Sequence, residues 1–208
     1  MSRKFNILST AKRMFNAQGY KHVTIRMIAQ ELNISSGNLN YHFKKREDIL
    51  DALYFEMVAV FDERVRQFAK NEINLVYIQK DVYLSMLRMV EYSFFWTDLY
   101  SLLQKNEQIK THFIKVYDER VEAYNILFKK LIDKGILQEM TFEKQSQFLI
   151  ESMINFSNSW LYNSYVNDKK VDKKYINRQS YNLLAILFPY FTTLGKKEFE
   201  DIFSEYFD

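Results

Sequence analysis

Apolar residues recur at three- and four-residue spacing along nearly the whole chain, and that period predicts a succession of amphipathic helices. The first spans residues 4–17, with Phe5, Ile7, Leu8, Ala11, Met14 and Phe15 on one stripe and Gly19 as its stop. Thr24 can cap a second helix over 25–32 whose inner face is Ile25, Ile28, Ala29 and Leu32. Asn33-Ile34-Ser35 makes a turn, and Ser35 can cap a very short third helix over 36–43. Beyond residue 46 the stripes lengthen. They predict helices over 47–70, 78–96, 98–104, 107–134 (stopped by Gly135), 142–166 (capped by Thr141), 174–193 and 196–207, with Pro189 bending or ending its own.

Composition narrows this to an all-α fold. Four glycines and one proline leave too little material for the turns that a sheet needs. With no cysteine, disulfides, thiolate metal sites and cysteine nucleophiles are all excluded, as suits a reducing compartment. The longest apolar run, 183–191, is about half a membrane span. The amino terminus carries no signal-peptide core. These features together predict a cytoplasmic chain that does not enter a membrane.

Charge is distributed unevenly. Residues 1–46 hold nine Lys or Arg against the single acid Glu31, a net +8, which leaves the rest of the chain at −5. A basic head on an acidic body is suited to a polyanion. Two short helices joined by a three-residue turn in that basic setting describe a helix-turn-helix, whose second helix enters the major groove. On that geometry Ser36, Gly37 and Asn38 face base edges. The Asn38 amide can pair with adenine N6 and N7 together, and Gly37 lets the backbone approach closely. Thr24 offers a hydroxyl at a helix start that favours phosphate.

The run Ile7-Leu8, Ala11, Phe15, Gly19-Tyr20, Thr24, Ile28-Ala29, Leu32, Ile34-Ser35, Gly37, Leu39, Tyr41-His42-Phe43, Glu47 and Ile49-Leu50 resembles the DNA-binding domain of the TetR family of bacterial transcription regulators. The likeness covers about the first fifty residues, with two departures: Asn33 stands where the family's turn often has glycine, and Asn40 where an aromatic usually follows the recognition-helix leucine. The resemblance implies a DNA-binding domain over 1–46 and a helical effector-binding and dimerisation domain over 47–208. It implies DNA contacts from Thr24, Arg26, Ser35, Ser36, Gly37, Asn38, Asn40, Tyr41, His42, Lys44, Lys45 and Arg46. The expected partners are a double-stranded operator, a small-molecule effector and a second copy of the chain, in a bacterial cytoplasm.

The body is rich in aromatics. Most of these rings must be core packing, but some could line an effector cavity, and Tyr92, Phe95, Trp96, Tyr117, Tyr124, Met153, Phe156 and Trp160 are the candidates. Ser93 and Asn155 add polar points to such a wall. The helices near 148–165 and 175–191 are apolar on more than one face, which fits either an enclosed core or a subunit interface through Leu149, Leu183, Leu184, Leu187, Phe188 and Phe191. The family resemblance favours the interface, as a four-helix bundle between two chains.

Enzymatic chemistry finds no support. His22, His42 and His112 lie far apart without metal-ligand spacing, and His112 reads as a solvated surface residue. No metal or cofactor is expected. The leading expectation is a homodimeric repressor released from a near-palindromic operator by a lipophilic or aromatic effector. The alternatives are a small-molecule binding protein with a vestigial DNA head, and a corepressor-dependent regulator or activator.

Overall fold

Ser2 starts the first helix by accepting the Phe5 N–H at its Oγ (3.3 Å), which satisfies one of the donors that a helix start leaves open. The computed structural model describes residues 2–70 and 72–204, with side chains described outside 62–70. Among the described residues the regular structure is eleven α-helices with short 3₁₀ turns, and a single isolated bridge joins Leu137 to Phe191.

Helix α1 (Arg3–Gln18) buries Ile7, Ala11, Met14 and Phe15, and Gly19 ends it at φ 80°. Helices α2 (Ile25–Glu31) and α3 (Ser36–His42) follow, capped as their sequences predict. Thr24 Oγ1 accepts the Met27 N–H (3.3 Å), and Ser35 Oγ accepts the Asn38 N–H (3.1 Å). Between them Asn33 takes φ 54°. Its N–H reaches the Gln30 carbonyl and the Ile34 N–H reaches Ala29, both at 3.0 Å. This two-bond closure is usually made with glycine, but asparagine is among the few residues that tolerate the left-handed conformation. Leu39 and Phe43 turn inward from α3 and are buried with the α1 and α2 stripes.

Helix α4 (Arg46–Lys70) leaves this head almost at once and presents Ile49, Leu50, Leu53, Tyr54, Met57 and Val58 to the core. Phe61 is half-buried; Val65, which falls on the same stripe by its spacing in the sequence, lies outside the described side chains. The body comprises α5 (Leu75–Glu91), α6 (Ser93–Thr97), α7 (Leu99–Lys105), α8 (Glu107–Asp133), α9 (Gln145–Val166), α10 (Lys173–Ala185) and α11 (Thr193–Ser204). Helices α10 and α11 pack on α5, while α9 packs on α6 and α8.

Three boundaries differ from the sequence expectation, each for an identifiable reason. The helix expected over 78–96 is broken at Tyr92 (φ −119°, ψ 38°), because Asn16 of α1 binds the backbone groups that the break frees. Thr141 does not cap α9. Its N–H and hydroxyl instead donate to Gln145 Oε1 (2.6 and 3.0 Å), so the helix begins later than expected. The helix expected over 174–193 ends at Ala185, four residues before Pro189, the carbonyl position that a proline ring crowds.

The expected interface residues also move. Leu183, Leu184, Leu187 and Phe191 are all 2 % exposed or less, and Leu149 is buried too. Phe188 is half-buried against the Phe191 and Phe199 rings. All but Phe188 therefore belong to the core of a single chain, where α10 and α11 pack on α5 and α10 also on α9, and are closed to a second copy. An apolar all-round helix fixes that both faces are covered, but not by what. The outward face of α9 is instead the stripe Phe148, Ser152, Asn155, Ser159, Tyr162 and Val166, on which Phe148 is 53 % and Val166 61 % exposed.

Candidate nucleic-acid interface

The two caps and the Asn33 closure set α3 so that Leu39 points into the head while Gly37, Asn38, Asn40 and Tyr41 point out. Tyr41 is 86 % exposed, with its ring edge-on against His42 at 5.2 Å. Leaving a ring that open costs hydrophobic free energy unless a partner covers it. Thr24, Arg26 and Ser35 are exposed, and Ser36 and His42 are half-buried.

The structure sorts the basic residues of the head into two groups. Arg13 pairs with Glu31, the one acid of the segment, at 2.5 Å, Lys21 with Asp98 at 3.1 Å, and Lys12 with Glu56 at 3.6 Å. Arg26, Lys44 and Lys45 are exposed and make no ion pair among the described residues; Lys44 and Lys45 follow α3 closely, and Arg26 lies in the first turn of α2. The first group ties the head together and to the body, while the second remains available to phosphate.

Arg46 corrects the sequence expectation. Its Nη1 donates to the carbonyls of Tyr20 (3.2 Å), Lys21 (3.4 Å) and Val23 (3.2 Å), and the guanidinium lies over the Tyr20 ring at 4.2 Å. It also pairs with Glu47 at 3.5 Å. These bonds clasp the α1–α2 connection to the start of α4 and leave its head group turned inward. The packed Tyr20 phenol shows the effect of burial, which pushes its pKa up to about 12.

The head meets the body through Asn16, which nothing in the sequence pattern marks. Its amide donates to the Glu91 carbonyl (2.9 Å) and accepts from Ser93 Oγ and the Phe94 N–H (both 3.0 Å). A second tie joins the same elements. Tyr92 donates its hydroxyl to Glu56 of α4, and Lys12 of α1 pairs with that carboxylate and lies 4.3 Å over the Tyr92 ring. Burial and the Glu56 carboxylate together hold the Tyr92 phenol well above its ordinary pKa.

Of the expected cavity residues, Tyr92, Phe95, Met153 and Trp160 are buried core. Phe95 packs on Tyr54 and Trp96, and the Trp160 indole donates to Met89 Sδ (3.3 Å). Trp96 is buried too, and its Nε1 has no hydrogen-bond partner among the described residues. Phe156 and Trp160 line one side of a cleft of about 170 Å³ between α9 and α10, completed by Ser164, Tyr175 and Gln179. Tyr117 and Tyr124 share a face of α8 with Arg120, which sequence reasoning missed. Arg120 Nη1 donates to Asn158 Oδ1 of α9 at 2.8 Å. A lone arginine within an inward apolar stripe was the available signal. Burial lowers the Arg120 pKa and raises that of Tyr124. Nor is His112 a solvated residue: its Nδ1 hydrogen-bonds the Tyr54 hydroxyl (2.9 Å), and its ring packs against Tyr54 and Phe55.

No helix among the described residues is long and apolar enough to cross a membrane. Residues 7–53 match the model for bacterial regulatory proteins of the tetR family, and residues 57–199 match that for a bacterial transcriptional repressor. The chain is 28 % identical over 141 residues to the HTH-type transcriptional regulator QacR of Staphylococcus aureus, covering 62 % of this chain and 71 % of that protein. Its fold matches a TetR-family transcriptional regulator from Marinobacter aquaeolei with a TM-score of 0.87, at 23 % identity over 99 % of both chains. It also matches SmeT, the repressor of the Stenotrophomonas maltophilia multidrug efflux pump SmeDEF, with a TM-score of 0.68 at 15 % identity, over 93 % of this chain and 92 % of that one.

Proposed function

The chain belongs to the TetR family of bacterial transcription regulators, and from that premise we propose that it is a homodimeric, sequence-specific repressor whose body binds a small-molecule effector. The observation that carries the DNA-binding half is the outward row Gly37, Asn38, Asn40 and Tyr41 on a capped α3, together with Arg26, Lys44 and Lys45 without internal partners. Asn38 reads a base edge. Thr24, Ser35, Ser36, Asn40, Tyr41 and His42 hold the backbone together with the free cations. Arg46 acts one step back, by fixing the angle between the head and α4.

One such head reads only a few base pairs, so a two-fold pair gives useful specificity. The α9 stripe from Phe148 to Val166 supports pairing there. Its middle positions, Ser152, Asn155 and Ser159, are small enough for two helices to approach closely, and aromatic or branched residues close both ends. On α10, Arg178, Asn182 and Ala185 are exposed at matching spacing. The operator is then a near-palindrome with half-site centres roughly 34 Å apart, or slightly more.

Release follows from movement of α4. An effector that binds one arrangement of the body more tightly shifts the equilibrium toward it. The Asn16 clamp and the Lys12–Glu56–Tyr92 cluster give the body a second hold on the head besides α4 itself. Binding-site selection from random DNA tests the reading. A near-palindromic motif supports it, whereas no enrichment, or a single asymmetric half-site, rejects it.

A further inference from the structure

The turn between α9 and α10 carries charge opposite to the body around it. Residues 167–179 hold five cations, Lys169, Lys170, Lys173, Lys174 and Arg178, against Asp168 and Asp172. The chain beyond residue 46 is net negative, so this corner is a positive patch on an acidic body. Its backbone is closed by hydrogen bonds. Asp168 takes φ 48°, and the Lys169 N–H reaches the Ser164 carbonyl at 2.9 Å. Asp172 caps α10 by accepting the Tyr175 N–H (2.9 Å) and pairs with Lys170 at 3.8 Å. Lys169 makes no ion pair among the described residues.

Lys169 lines the cleft of about 170 Å³ between α9 and α10, whose walls include Phe156, Trp160 and Tyr175. Among the described residues no carboxylate lines it. Two of its polar groups are satisfied within the chain. Ser164 donates to the Trp160 carbonyl (2.7 Å), and its Oγ and the Tyr175 hydroxyl bond each other (3.0 Å). Gln179 is different. Only 8 % of it is exposed, and its Oε1 accepts from Asn182 Nδ2 (3.2 Å), but its amide N–H groups have no acceptor among the described residues. That nitrogen is not sealed in the core either, so it opens onto the cleft that Gln179 lines. Aromatic walls with one unmet donor and one unpaired charge form a small-molecule site, in which a few placed polar groups orient what the walls bind.

We propose that this cleft binds a small aromatic carboxylate, its ring against Phe156, Trp160 and Tyr175 and its oxygens on the Gln179 amide and the Lys169 ammonium. The donors fix the group and its sign. Amide N–H groups and an ammonium call for negatively charged acceptor oxygens, and charge-assisted bonds of that kind are the stronger ones. The volume fixes the size. Drug-sized ligands fill pockets of roughly 300–1,000 Å³, so this cleft admits about one ring. Three aromatic side chains favour a ring over an aliphatic body, since offset and edge-on contacts add to plain burial. Ser159 lines the cleft and also lies on the outward stripe of α9, so the cleft opens at the edge of the proposed pairing face. All its lining residues come from one chain, and the site stands independently of operator binding.

The test uses the full chain, titrated with benzoate, its uncharged counterpart benzamide, the cation benzylammonium and the ringless acid acetate. Calorimetry reads affinity. The fluorescence of Trp160 reports on the cleft itself in a Trp96→Phe background, which leaves it as the sole tryptophan. Benzoate should bind at least tenfold more tightly than each of the other three and change the Trp160 emission. Lys169→Gln, on the exposed turn, should bring benzoate down toward benzamide and leave benzamide unchanged. Lys170→Gln, which removes a neighbouring charge outside the cleft, should have a smaller effect. Gln179→Met, close to the parent in volume, should weaken benzoate severalfold. Benzamide, benzylammonium or acetate binding as tightly as benzoate, failure of benzoate to saturate at millimolar concentration, or equal effects of the two lysine changes would each overturn the proposal. So would a benzoate affinity that fell as protein concentration rose, because a second copy would then be filling the cleft.

Discussion

The side-chain oxygen of Asn16, in the head, accepts the backbone N–H of Phe94, in the body, at 3.0 Å. That bond lies at the break between α5 and α6, where the same amide also serves Glu91 and Ser93. One side chain therefore satisfies the backbone groups that an interrupted helix leaves open, and it makes the break part of the head–body joint.

Asn16→Ala should lower stability by about 1–3 kcal/mol, since the Phe94 N–H and Glu91 carbonyl lose their partner. Urea unfolding measures it. An effector should also release the variant from operator less efficiently than it releases the parent. A change within 0.3 kcal/mol (roughly the noise of independent surface sites) would mean that the break is held by other contacts.

Within the head, base reading and phosphate binding should separate by mutation. Asn38→Ala should lose about 1–3 kcal/mol at one base step of each half-site, and Lys45→Ala should weaken all sequences evenly and reduce the salt slope by about 1. Arg46→Ala should instead lower folding stability by about 1.5–3 kcal/mol, because its charged donors serve three carbonyls, and leave the salt slope as it was. Anisotropy titrations at several salt concentrations, run beside urea melts, distinguish the three.

Much of this was legible in the sequence, for local reasons. Thr24, Ser35 and Asn33 act on groups three to five residues away, so the caps and the tight turn appear in the order of residues themselves. The break at Tyr92 is not legible, because the side chain that holds it, Asn16, bonds to Ser93 from 77 residues upstream. In the sequence Leu183, Leu184 and Leu187 fit either an enclosed core or an interface, because hydrophobicity on several faces shows that a helix is covered, not which chain covers it. Arg46 sits in a run of three cations indistinguishable by charge, and only the fold turns it toward carbonyls while Lys44 and Lys45 stay outside.

Alkaline pH should expose the role of Tyr20. The folded state holds its proton more tightly than the unfolded chain, whose tyrosine pKa is near 10, so its contribution is complete below pH 10 and is lost as pH rises through about 12. Tyr20→Phe should be less stable than the parent by about 0.5–1.5 kcal/mol at neutral pH, having lost its bond to Glu47. The gap should close as pH climbs through that window. Urea midpoints for both proteins across the range would show it, and a constant gap would place the alkaline transition elsewhere.

The two apolar sets in the last long helices should respond in opposite ways. Leu183→Ala empties a core site and should cost about 2–5 kcal/mol of folding stability. Ser159→Lys on the outward stripe of α9 should leave the melting temperature of the fold nearly unchanged but separate the dimer and weaken operator binding. Light scattering and melts on both variants settle the assignment. A Ser159→Lys protein that stayed dimeric would place the interface on another face.

Footprinting on a selected operator is the most direct test of paired α3 helices reading DNA. The prediction is two symmetric protected patches, centred roughly 34 Å apart or slightly more and lying on one face of the duplex, with two chains bound per site. Protection of a single asymmetric half-site by one chain, or protection indifferent to sequence, would contradict it.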